Sequence, residues 1–142
     1  MQIRRWSFVV AATLMLAVSS ACSFTTANIS SVKLSKDKDG ASQTDTFAPN
    51  DSIYTFATVS NVPSKVTLKF RLFTESVEGQ PENAPVPKFD VSIDFPKDGV
   101  GTYSLLPPTA GWPAGKYRIE IGMHVESGEE KDHETARFTV VR

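Results

Sequence analysis

Few residues in this chain are of types that do chemistry, and their spacing narrows the options. Its 142 residues include one cysteine, Cys22, and two histidines, His124 and His133. A lone cysteine excludes an intrachain disulfide and any multi-cysteine metal site. Asp37, Asp39 and Asp45, with Gly40, supply the closely spaced oxygens that hard cations bind, so they form a calcium candidate. The spacing does not meet the EF-hand pattern, because the glycine comes too early and no glutamate closes the loop. Asp39-Gly40 also reads as a turn with solvated charges. If the strands carrying His124 and His133 pair as a hairpin, the two rings approach each other. With Glu126 or Glu134 they would make a two-histidine zinc site, although histidines on a polar hairpin are more often simply solvated. No Gly-x-Ser-x-Gly elbow is present. Ser104 and Ser127 have no base beside them in sequence, and Glu129/Glu130 fall in a polar turn where nothing would desolvate a general acid. These patterns lead us to expect no enzymatic reaction, no resident metal and no cofactor.

The remaining reactive group, Cys22, follows a distinctive leader. Arg4 and Arg5 precede an apolar run from Phe8 to Val18, 11 residues long. A bilayer-spanning helix needs about 20 residues, so this run is too short to span. It has the length of a signal-peptide apolar region, roughly 7–15 residues. Ser19, Ser20, Ala21 and Cys22 come next and resemble the bacterial lipobox, with small residues leading into the cysteine. The resemblance implies a diacylglyceryl group on the Cys22 thiol, cleavage before Cys22 and acylation of the new amine. Two or three acyl chains hold a protein stably at a membrane without spanning it. The covalent lipid on Cys22 would thus be the only non-protein group. Ser23, in place of the aspartate that favours inner-membrane retention, points to an outer membrane facing the periplasm if the host has two membranes. The expected division is a signal peptide over 1–21, an acylated cysteine and tether over 22–27, and a domain over 28–142. After cleavage 13 basic and 16 acidic residues remain, a net charge of −3. That offers no electrostatic footprint for nucleic acid.

The mature chain alternates with period 2. Val66, Leu68, Phe70 and Leu72 alternate with lysine, threonine and arginine. Phe89, Val91, Ile93 and Phe95 do the same, as do Tyr117, Ile119, Ile121, Met123 and Val125. Each pattern predicts a strand with one face in a core and one in water. Ile29–Leu34, Ile53–Ser60, Gly99–Leu106 and Thr135–Val141 are four further candidates. Between them lie turn signals such as Glu78-Gly79, Asp98-Gly99 and Ser127-Gly128. The reading is all-β, a seven-stranded immunoglobulin-like β-sandwich preceded by the cleaved signal-peptide helix. Gly115-Lys116-Tyr117 resembles the opening of strand F in immunoglobulin-like domains. The resemblance implies that the Tyr117 hydroxyl bonds back to nearby backbone. The Asp-x-Asp-Gly, Phe-x-Pro-x-Asp and Trp-Pro-x-Gly-x-Tyr elements, at Asp37–Gly40, Phe47–Asp51 and Trp112–Tyr117, resemble those of small bacterial lipoproteins with one immunoglobulin-like domain. That resemblance implies a fold but no reaction.

The expected function is therefore a membrane-anchored, non-catalytic cell-envelope module that binds another envelope protein or a ligand through loops or an edge strand. Alternatives are a structural or accessory subunit of an envelope complex and a loop-based protease inhibitor. Partner-binding candidates are Trp112, an anchor if exposed and a core plug if buried, and Phe73 and Val77, which depart from the alternation. Glu78 joins them in the Pro- and Glu-rich segment from Glu75 to Lys88, read as a long loop.

Overall fold

The structure is a computed structural model that describes residues 26–142. The signal-peptide segment and Cys22 lie outside the described residues. All seven expected strands form: β1 (Asn28–Ser35), β3 (Ile53–Ser60), β4 (Val66–Val77), β6 (Val91–Phe95), β7 (Gly99–Leu105), β8 (Gly115–Val125) and β9 (Glu130–Val140). Two strands of two residues join them, β2 (Thr46–Phe47) and β5 (Ala84–Pro85). One sheet has the order β1-β3-β7. The other runs β2-β9-β8-β4, with β5 and β6 end to end along the far edge of β4. This is an immunoglobulin-like sandwich of three strands on a larger sheet.

The inward register of each long strand supplies the core. Leu68, Phe70, Ile119, Ile121 and Met123 from the larger sheet meet Ile53, Ala57, Val59, Tyr103 and Leu105 from the smaller one. The Phe70 and Tyr103 rings stack across the two layers with centroids 5.0 Å apart. The Tyr103 hydroxyl donates to the Phe89 carbonyl at 2.7 Å, so the ring is buried without leaving its polar tip unpaired. The expected tyrosine corner is present: Tyr117 Oη donates to the Pro113 carbonyl at 2.7 Å, and its ring stacks on Phe138 at 5.0 Å. Gly115 opens β8 with φ of 146°. A Cβ there would lie 2.3 Å from the Ser76 carbonyl oxygen, so only glycine lets β8 pass β4 so closely.

Four boundaries differ from expectation. The Glu75–Lys88 segment is not a long loop. Instead β4 continues to Val77, turns, and returns as β5 and a one-turn 3₁₀ helix at Pro87–Phe89. A register shift between Thr74 and Ser76 sends Val77 into the core. Phe89 belongs to that helical turn rather than to β6. β9 starts at Glu130, five residues before the expected Thr135, because its acidic start continues to pair with β8. Ala27, expected in the tether, is buried in the core at 6% exposure.

Candidate functional site: the open seam between β1 and β9

A two-sheet sandwich has two seams where the sheets part. In this protein they differ. Along the β6–β7 side, Phe95 and Ile93 fill the gap. A Cβ at Gly101 would lie 2.9 Å from Phe95 Cζ and 3.6 Å from Ile93 Cδ1. Glycine in β7 lets these side chains close the seam.

The β1–β9 side is tied at its Ile29–Asp132 end and opens beyond it. A shallow, solvent-open depression of about 620 Å³ lies between the two strands, lined by Val32, Lys33 and Leu34 from one side and Glu134 to Arg137 from the other, with Gln43 to Asp45 at one end. It is bounded by two hydrogen bonds. At the other end Ile29 N–H donates to Asp132 Oδ2 at 2.8 Å, and at the Asp45 end Thr139 N–H donates to the Asp45 carbonyl at 2.8 Å. Val32, Leu34 and Ala136 are half-buried against the core and form an apolar floor.

Strand geometry sets the backbone chemistry of this seam. Thr139 and Val141 N–H groups donate to Asp45 and Phe47 carbonyls, on the side of β9 away from β8. Backbone polar groups alternate sides along a strand, so the N–H and C=O of Thr135 and Arg137 also face outward. Among the described residues nothing bonds to these N–H groups. Side chains follow the same alternation. Glu134 pairs in register with buried Ile121, and Ala136 with buried Ile119, so both occupy the inward face of β9. Glu134 is nonetheless exposed. Arg137, on the outer face, pairs with Glu75 at 2.9 Å.

The residues singled out from sequence lie elsewhere. Trp112 is a core plug at 4% exposure: its Nε1 donates to the Asp51 carbonyl at 3.0 Å and its ring packs near Phe89 and Tyr117. It borders a smaller cleft of about 170 Å³ with Phe89, Pro108 and Lys88. Phe73, at 8% exposure, sits on the outer face beneath the guanidiniums of Arg118 and Arg71, 4.3 and 4.9 Å from its centroid. Burial removes Trp112, Phe73 and Val77 as exposed anchors. Only Glu78 is at the surface, where it pairs with Arg142.

The calcium candidates do not converge. Asp37 accepts from Ser35 Oγ and from the N–H groups of Ala41 and Ser42, which makes it the organiser of its own turn. Partial desolvation acts to raise its pKa, but the bonds from Ser42, Ala41 and Ser35 outweigh it and hold the carboxyl below its usual range. Asp45 lies at the end of the seam instead. His133 Nδ1 is 2.9 Å from Glu130 Oε1, and His124 Nδ1 is 3.1 Å from the Gly128 carbonyl. Among the described residues no group of three or more histidine, cysteine or acidic side chains is arranged to hold a metal ion.

Of the seam residues, Val32, Thr135, Ala136 and Arg137 were not singled out from sequence, and Glu134 was considered only as a zinc ligand. One signal was readable: the inward register Ala136, Phe138, Val140, extended backwards, lands on Glu134 and Asp132. Acidic residues on an apolar register mark a place where the core stops. No protein-family model matches this chain, and no curated protein matches it.

Proposed function

We propose that this chain is a lipid-anchored, non-catalytic interaction module of a bacterial cell envelope, held by acylated Cys22 and binding another envelope protein. The observation that supports binding is the outward-facing backbone of β9 at Thr135 and Arg137, which borders a solvent-open depression beside half-buried Val32, Leu34 and Ala136. Unpaired backbone at a sheet edge is what a partner strand recognises. The leader from Arg4 to Cys22 supports the anchor.

The anchor would also limit how far the domain stands from the membrane. Ala27 is already in the core, so an acylated Cys22 would leave residues 22–26 as tether. Five extended residues reach at most about 18 Å, which would keep the Ile29 end of the sandwich within that distance of the bilayer.

The test is replacement of Cys22 by serine in the full chain. The expected result is loss of palmitate incorporation and release from the membrane fraction. A Cys22→Ser protein that keeps its label or remains membrane-bound overturns the anchor.

A further inference from the structure

The seam carries more information than an open edge. Its backbone groups at Thr135 and Arg137 repeat every two residues, about 6.8 Å apart, which matches the repeat of any extended chain. Its floor of Val32, Leu34 and Ala136 is apolar. Glu134 stands on the inward face beside that floor, exposed. An inward-pointing charge on an edge strand is a device that blocks indiscriminate pairing. A strand that docks here must neutralise it. A second copy presenting the same edge would instead bring two Glu134 carboxylates to one shared face, a like-charge arrangement that opposes pairing.

We propose that the β9 edge from Glu134 to Arg137 accepts an extended polypeptide segment of another protein by strand addition. One inward-facing residue of that segment is apolar and covers Val32, Leu34 and Ala136. The inward residue two positions away is lysine or arginine and faces Glu134. This rests on the interaction-module reading and names its mode and ligand class. Backbone hydrogen bonds to Thr135 and Arg137 supply affinity, and the floor and Glu134 supply selectivity.

The experiment uses the full chain purified in detergent and two synthetic octapeptides. Both alternate valine with threonine; one carries lysine at a central valine position and the other glutamate. Amide hydrogen exchange is read residue by residue. The lysine peptide is expected to slow exchange at Thr135 and Arg137, and the glutamate peptide to bind at least about tenfold more weakly, since like-charge juxtaposition costs several kcal/mol. Glu134→Lys should reverse that preference. Thr135→Pro should abolish binding of the lysine peptide, since it removes an N–H that faces away from β8 and is tolerated on an edge strand. Protection by neither peptide, or an unchanged preference in Glu134→Lys, overturns the proposal. So does protection of the same amides by self-association without peptide. Any of these results leaves the Cys22 test unaffected, so an anchored module with an unused seam remains distinguishable from a failed anchor.

Discussion

The backbone N–H of Ile29 donates to the Asp132 carboxylate at 2.8 Å, and this bond joins strands of two different sheets. The other carboxylate oxygen accepts the N–H of His133 at 2.8 Å. Ladder hydrogen bonds join strands within one sheet, so this side chain ties β1 to β9 across the two layers at one end of the seam.

Asp132→Ala should therefore destabilise the domain by about 2 kcal/mol, the scale of a hydrogen bond to a charged group that leaves its partner unpaired. It should also speed amide exchange at Ile29. Urea unfolding checks the first effect; an unchanged midpoint would show that the bond contributes nothing.

Tyr117 separates packing from polarity. Tyr117→Phe keeps the stack on Phe138 and loses only the bond to Pro113, at a cost of about 1 kcal/mol. Tyr117→Ala also opens a cavity and should cost about 3–5 kcal/mol. Burial pushes the Tyr117 phenol up to about 12. A tyrosine absorbance titration should thus lose a late-ionising component in Tyr117→Phe. Similar midpoints for the two variants would contradict the corner's division of labour.

Thr55 is fully buried, and its hydroxyl has no partner among the described residues. An unpaired buried hydroxyl costs about 1–3 kcal/mol. Thr55→Val should raise stability by about 1 kcal/mol, measured as a higher urea midpoint; a lower one would mean the hydroxyl is bonded in solution.

Asp51 gives the acid limb of stability a local origin. Its carboxylate accepts the Ala48 N–H at 2.7 Å and pairs with Lys36 at 3.2 Å. The Ala48 bond is the main cause of a pKa below the usual 3.8; desolvation opposes it and Lys36 assists it. A folded-state pKa below the unfolded one means the contribution is complete above the unfolded value. It is lost as pH falls through the folded value. Asp51→Asn should flatten the fall in stability below about pH 4. An equally steep fall in the variant would assign that limb to other carboxylates.

The strands were legible in the sequence because period-2 alternation is local: β3, β4 and β8 each show it without help from neighbours. The end of β4 was not. Phe73 stays in outward register and is buried there beneath Arg71 and Arg118, the second distant in sequence, while the shift near Glu75 resets the parity for Val77. The site was harder still. Whether an edge is open depends on which strands fail to pair, and no segment of β1 or β9 encodes that alone. Glu134 on an inward register was the one local trace.

The central claim is that a partner engages the β1–β9 seam. Its most direct test places a photoreactive amino acid at position 135, or at exposed Ser104 on β7 as a control, in the full chain in its own envelope. A discrete membrane-fraction adduct from position 135 alone, lost in Glu134→Lys, is the predicted result. Equal adducts from both positions, or an adduct that Glu134→Lys leaves undiminished, would contradict it.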